Sequence, residues 1–551
     1  MRMFSRIRQG VLGGMRAVVA GVLAAFVIPS ALVAADHSAD SPNDMAFPAF
    51  AQAVAEAAVG REEVGAFYSA NGYAPIWSGQ GAGEKARLNA LFSAIQNAPA
   101  HGLPAAPYDT TALLNLMRNI SSQRELGRVE VALTELFLTY AHQIQSGIVL
   151  PRSIDPLMDR KPPRRDGTEL LNAFIAAPNP DAFMRSLMPQ SEEYARLMRN
   201  KLELERVLAS GGWGPQVPAS ALRPGQSGSA VVALRNRLIA MGYMGRSATM
   251  TYDADLQKAV QAFQDNMGLN ADGVAGPATI RAINTPVQER LKSIIVAMER
   301  ERWLTIDRSK RYIWVNLADF TARIVDAGQI TLESRSVIGK NTARTRSPEF
   351  SDMMEYLEVN PSWNVPRSIS VGEYLPGMIA SGGASARHLQ LVDGRGRVVP
   401  RSAVNWEAYT PASFPFDLRQ PPSRGNALGL VKFMFPNSHN VYLHDTPSKS
   451  LFAREVRAFS HGCIRLHKPF DFAYTLLAAQ EPDPKAYFDG ILRSGRQTKV
   501  MLETPLPVHL VYRTAVTDTR GRMGYRTDVY GRDAKVWKAL VAAGVVLPGQ
   551  G

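Results

Sequence analysis

"YLHDTPSKSLFAREVRAFSHGCIRLHKP", residues Tyr442–Pro469, holds the only cysteine of the 551-residue chain. Cys463 follows Ser460, His461 and Gly462, and His444 stands upstream in "YLHDTP". A free thiol is mostly protonated at neutral pH and becomes a nucleophile beside a base or a positive neighbour. Cysteine enzymes therefore pair the thiol with a histidine. His439, His444, His461 and His467 are near in sequence. His444 follows "NVYL", a strand-like run able to hold it rigidly, yet it lies too far from Cys463 for one element, so the fold must join them. Gly462 permits a tight turn beside the sulfur. Backbone N–H groups around 462–463 can then form an oxyanion hole, and Arg465 can depress the thiol pKa or bind a substrate carboxylate. The rival reading is zinc held by His439, His444, His461 and Cys463. The sequence has no HExxH, no CxxC and no close histidine pair at helical spacing, so no metal and no cofactor are expected.

Working outward, the texture around this stretch is that of strands. "RYIWVNLADFTARIVDAG", "QITLESRSVIG", "YLEVNPSWNVP", "VKFMFPNSHNVYLHD" and "TKVMLETPLPVHLVYRTAV" are apolar and broken by turn residues, which predicts a β-rich domain over 305–515. Residues 372–425 interrupt it with much Gly, Pro, Ser and Arg and little periodicity. A segment that long is read as a loop that moves over the site rather than as a packed element. Residues 516–551 are left as a C-terminal tail.

Upstream the pattern is helical. Residues 36–221 form a mostly helical region, in which Val129, Leu133, Leu136 and Tyr140 recur near helical spacing; the aromatics of "FYSANGYAPIW" read as core. After a Gly/Pro/Ser-rich boundary, residues 222–284 place Val231, Leu234, Leu238 and Met241 on one helical face and Leu256, Val260, Phe263 and Met267 on another. Residues 285–304, with Leu291, Ile294, Ile295 and Met298, form a helix expected to return to the N-terminal helices. The fold class is thus multidomain α+β.

Residues 1–35 carry four arginines, no acid and the 12-residue apolar run "AVVAGVLAAFVI". They read as a secretory signal peptide, with an uncleaved anchor as the alternative. The formal charge of +13 includes those four arginines. A basic exported protein favours an anionic polymer or surface, and no basic tract interleaves with aromatics as nucleic-acid binding would need. A single unpaired thiol is a liability in an oxidising compartment unless it has chemical work.

A histidine followed downstream by Ser/Thr-His-Gly-Cys resembles the signature of the L,D-transpeptidases of the YkuD-domain family, here His444 and "SHGC" at 460–463. Arg465 departs from the Asn of many members and is similar to the large Gram-negative type, as are "YLHDTP" and "VNPSWNVP". The segment 222–284, through "AFQDNMGLNADGVAGPAT", resembles a three-helix peptidoglycan-binding module. The resemblance implies a periplasmic enzyme with a helical scaffold, that module and a β-rich catalytic domain under a capping loop. Its substrates would be peptidoglycan stem peptides and glycan, and carbapenems its inhibitors. Cys463 would attack the bond after the third residue of a tetrapeptide stem. His444 would move the proton, and a second stem's amine would take the acyl group in a 3→3 cross-link. Water, another amine or a lipoprotein lysine are alternative acceptors, and a non-catalytic wall-binding protein is the alternative of a different class. Ser460, His461, Gly462 and Arg465 would shape the site. Tyr442, Asp445 and Trp363 are assigned to substrate, with a core role for Trp363 left open. Either Asp445 or a backbone carbonyl would orient His444.

Overall fold

The helix Gln123–Ser146 organises the N-terminal region. Ser122 caps it by accepting the Glu125 N–H at 3.2 Å, and the Glu125 carboxylate in turn accepts from Ser121. Val129, Leu133 and Tyr140 are buried on one face, with Leu136 at its margin. The same helix buries Glu130, whose carboxylate accepts from the Tyr68 hydroxyl at 2.9 Å and the Ser78 N–H at 2.9 Å. This carboxylate nucleates the turn of "APIW" and draws Phe67, Tyr68 and Trp77 into the core. In this computed structural model residues 48–518 and 521–548 are described. The signal-peptide reading falls on residues outside them. Among the described residues no helix is long and apolar enough to cross a membrane.

The helices Ser229–Ala240, Ala254–Met267 and Pro277–Asn284 pack as a small bundle, closed by a bridge between Leu222 and Ala275. The helix Val287–Arg302 then lies along the scaffold helix Glu192–Ala209, as expected from its apolar spacing.

The rest is β-rich. The strands are β1 Tyr312–Asn316, β2 Thr321–Asp326, β3 Gln329–Gly339, β4 Phe350–Val359, β5 Trp363–Val365, β6 Gln390–Val392, β7 Val398–Val399, β8 Asp417–Gln420, β9 Val431–Met434, β10 Leu443–His444, β11 Ala458–Ser460, β12 Ile464–Leu466, β13 Thr498–Val511, β14 Ala515–Thr517 and β15 Met523–Tyr525. The main sheet runs β11-β3-β12-β10-β9-β4-β13-β1-β2, and β2 also pairs with β3, which closes eight of these strands into a barrel with β11 on its outside. Inward residues such as Leu357, Phe433, Leu443 and Ile464 are fully buried, and the helix Pro469–Leu477 adds Phe472 and Leu476. The alternation of a two-residue period decides which side chains stand outside the core.

Two expectations are corrected. The segment 372–425 is no irregular loop: with the residues flanking it, it folds into short helices and a four-stranded sheet, β5-β8-β6-β7. Its own core contains Trp363, Leu375, Met378, Leu391, Trp406, Phe414 and Leu418. Strands of two to four residues are too short to show a period. The arginine and glycine content is structural. The Arg401 guanidinium donates to the carbonyls of Gly383, Ser385, Ala386 and Leu389 at 2.6–2.8 Å, and Gly383 (φ +84°) leaves no room for a Cβ beside the Trp406 indole. The segment after 515 is no tail either. β14 pairs with β15, and the helix Arg532–Ala542 buries Val536 and Leu540 against Val287, Leu291 and Ile295.

A third feature escaped the sequence pattern. "MERER", residues 298–302, looks like a solvent-facing helix end, yet Glu299, Arg300, Glu301 and Arg302 are all buried. Arg300 pairs with Glu349 at 2.7 Å and Asp533 at 3.1 Å, Arg302 with Glu299 at 2.9 Å, and Arg513 with Glu301 at 2.7 Å. Each buried charge has an opposite partner, the condition under which burial is tolerable. Scaffold, barrel and C-terminal helix meet in this network.

Candidate active site

The parallel pairing of β10 with β12 sets Leu443 opposite Ile464 and His444 opposite Arg465. The Ile464 N–H donates to the Tyr442 carbonyl at 3.0 Å. Cys463, one residue before β12, is thereby brought beside Tyr442. Its Sγ lies 3.8 Å from the Asn440 carbonyl. The fold thus joins the two motifs that the sequence keeps apart.

His444 is buried, and its Nδ1–H donates to the carbonyl oxygen of Asp445. The orienting group is therefore a backbone carbonyl, and it belongs to Asp445. Burial first, then the charges of Arg465 and Lys432, push His444 down to about 3. The imidazole is neutral at pH 7, with Nδ1 carrying the proton and Nε2 left as a lone-pair base. The Cys463 thiol is pushed up by burial, opposed by Tyr442 and by the positive charges of Lys432 and Arg465. The resting pair is thiol and neutral imidazole, so the proton must move as the sulfur attacks.

The turn before the nucleophile is held by Ser460. Its hydroxyl donates to the Cys463 carbonyl at 2.6 Å and accepts the Gly462 N–H at 3.1 Å. Gly462 adopts φ +124°, and its carbonyl accepts from Ser347 at 2.6 Å. This narrows the expected oxyanion hole. The Gly462 N–H is spent within the turn, whereas the Cys463 N–H has no partner among the described residues.

The remaining assignments separate. His461 Nε2 lies 2.6 Å from Glu373 of the cap. The Asp445 carboxylate is occupied by the Leu430 N–H at 2.9 Å and Lys449 at 2.6 Å, so it does not face substrate. Trp363 belongs to the cap's core, in edge contact with Tyr374 at 6.4 Å. His439 turns to Asp159 of the scaffold at 2.9 Å, so the four groups of the rival zinc reading are not gathered. Arg465 lines a cavity of about 380 Å³ on the seam between cap and barrel, with Tyr374, His388, Gln420 and Ser423 on one wall and Thr446 and Ser448 on the other. Its buried Nε has no partner among the described residues. The cap residues of this wall lie in or beside the interruption, where a sequence without periodicity gives no signal for them. A second cavity of about 320 Å³, lined by Asp159, Arg160, Trp303 and His439, lies at the scaffold–barrel junction, and neither cavity is lined by Cys463 or His444.

Residues 310–500 match the L,D-transpeptidase catalytic domain family, YkuD. Those residues carry the domain of that family. Residues 227–283 match a putative peptidoglycan binding domain, and residues 62–200 match a scaffold domain. A putative L,D-transpeptidase of Haemophilus influenzae is 32% identical over 242 residues, 44% of this chain and 48% of that protein. The N-acetylmuramoyl-L-alanine amidase CwlM of Mycobacterium tuberculosis is 40% identical over 73 residues, 11% of this chain and 18% of that protein. The chain thus spans about half, or less, of the curated relatives it matches. Among solved structures, an L,D-transpeptidase of Xylanimonas cellulosilytica aligns at 17% identity and TM-score 0.18, covering 54% of this chain and 98% of that one. One from Stackebrandtia nassauensis aligns at 14% and 0.21, covering 54% and 96%. At such scores these two structures add nothing to the YkuD match.

Proposed function

We propose that the protein is an exported peptidoglycan L,D-transpeptidase that forms 3→3 cross-links through a thioester on Cys463. The observation that carries the reading is the sole cysteine set by parallel strand pairing beside Tyr442, on the strand that also holds a buried, neutral His444 whose Nδ1–H is fixed on a carbonyl. Sulfur attacks the carbonyl after the third stem residue while Nε2 takes the thiol proton. The C–N bond to D-Ala then breaks, and the imidazolium gives its proton to the departing amine. The neutral side-chain amine of a second stem attacks the thioester, loses a proton to His444 and releases the thiol. The Cys463 N–H is the backbone donor available to the oxyanion. The cavity on the seam suits an anionic peptide, because Arg465 brings an unpartnered buried donor there.

The cap over that seam acts as a lid that keeps water from the thioester. The module at 222–284 acts in wall targeting, and the basic charge together with the N-terminal apolar segment supports action in the periplasm. The test is to digest the walls of cells with and without the protein and to analyse the fragments by mass spectrometry. The expected result is 3→3 dimers in the walls of cells that have the protein and their loss from cells that lack it. Unchanged dimers with loss of free tripeptide would point to an L,D-carboxypeptidase instead, and a loss of stems joined to a lipoprotein lysine to a different acceptor.

A further inference from the structure

The strand register places a row of charged residues across the outer face of the barrel. Lys499 of β13 is opposite Glu358 of β4, Glu358 is opposite Lys432 of β9, Lys432 is opposite His444 of β10, and His444 is opposite Arg465 of β12. The neighbouring row, Leu357, Phe433, Leu443 and Ile464, is fully buried in the barrel core. Directly paired residues share a face, so the charged row stands together on the side that carries the site. Lys432 is the cation next to the base, and no step proposed above uses it.

Its surroundings are specific. The ammonium lies 3.5 Å from the Glu358 carboxylate and 4.4 Å from the centre of the Tyr442 ring. Lys432 and Glu358 expose only 15% and 19% of their side chains. The Tyr442 ring in turn stands 5.6 Å from that of His444, and the bond from the Ile464 N–H to the Tyr442 carbonyl, 3.0 Å, sets Cys463 beside Tyr442. A cation over an aromatic face fixes the ring and is stronger when sheltered from water. The titratable and charged groups around Lys432 are Glu358 and Tyr356 on β4, Lys499 on β13, Tyr442 and His444 on β10, and Cys463 and Arg465 at β12; Glu358 is the only carboxylate in this set.

We propose that Lys432 is a positioning residue for the acyl transfer: clamped between Glu358 and the Tyr442 ring, it fixes Tyr442 beside the base and the nucleophile and favours the anionic sulfur of Cys463. This rests on the reading of Cys463 as the nucleophile. The charge has two effects at once. It stabilises the thiolate, and, with Arg465 on the other side, it opposes protonation of His444, so the base stays ready while the sulfur becomes easier to ionise. Glu358 moderates the first effect by neutralising part of the charge.

The experiment measures the rate of iodoacetamide alkylation against pH on the full-length protein. Cys463 is the only cysteine, so the rate reports this thiol alone. Lys432→Met is expected to move the midpoint of the profile up by about one pH unit, slowing alkylation at neutral pH about tenfold. Lys432→Arg should return the midpoint towards that of the parent, and Glu358→Gln should move it the opposite way, to lower pH. Local damage to the fold does not produce shifts of opposite sign. An unchanged midpoint in Lys432→Met, or shifts of one sign in the Met and Gln variants, overturns the proposal. Alkylation needs no peptidoglycan, so a parent protein that alkylates normally but forms no cross-link would sink the proposed function and leave this test readable.

Discussion

At the scale of residues, the site divides into groups that do chemistry and groups that hold them. Cys463→Ala is expected to abolish covalent attachment of a carbapenem without unfolding the barrel, because the residue is small and only half-buried; intact-protein mass spectrometry with a thermal melt checks both. His444→Ala should lower acylation about 10²–10⁴-fold, the usual worth of a positioned general base, whereas His461→Ala should lower it far less, since His461 contacts Glu373 rather than the nucleophile. Normal acylation in the His444 variant would reverse the two roles. Cys463 and His444 were legible in the sequence because the proposed reaction demands those two residue types and the chain has a single cysteine. The orientation of His444 was only half legible. Asp445 holds it, but through the carbonyl that any residue there would offer, while its carboxylate fastens Leu430 and Lys449. Lys432 was illegible, since an outward lysine in the alternating strand "VKFMF" looks like a solubilising residue until the register sets it beside the base.

At the scale of elements, the cap is the part the sequence described least well. Its strands are two to four residues long, and its core residues come from turns and single helical turns. Such a core carries neither of the periods that sequence patterns reveal. The long barrel strands β3, β4 and β13 were visible, and so were the helices of the small bundle. Because the cap has its own core, its hold on the seam can be weakened without touching the barrel. Arg401→Ala removes the donor to four cap carbonyls. With a single tetrapeptide donor, this variant should still acylate Cys463 but yield more free tripeptide relative to 3→3 dimer. An unchanged ratio in a folded variant would remove the lid role.

At the scale of the whole molecule, scaffold, barrel and C-terminal helix are locked by buried charges that a helical pattern reads as surface. Glu301→Ala would strand Arg513 in the interior and should cost about 3–5 kcal/mol of stability, measured by denaturant unfolding; a loss below about 1 kcal/mol would mean the site admits water freely. The histidines His101, His444 and His509 are held neutral, at about 4, 3 and 3, chiefly by burial. The unfolded chain binds protons near pH 6.5 that the folded chain refuses until these lower values. Stability should therefore be full above pH 6.5 and fall as pH drops from there towards 4, at about 1.4 kcal/mol per pH unit for each such histidine. Removing residues 222–284 should weaken sedimentation with purified sacculi and spare the reaction with a small acyl donor; unchanged sedimentation would leave that bundle a spacer. The most direct measurement of all uses purified protein with a tetrapeptide stem, followed by mass spectrometry of both protein and peptide. The predicted result is a tripeptide acyl adduct on Cys463, release of D-Ala, and 3→3 dimers that vanish in Cys463→Ala; dimers formed by that variant, or an acyl adduct on any other residue, would contradict it.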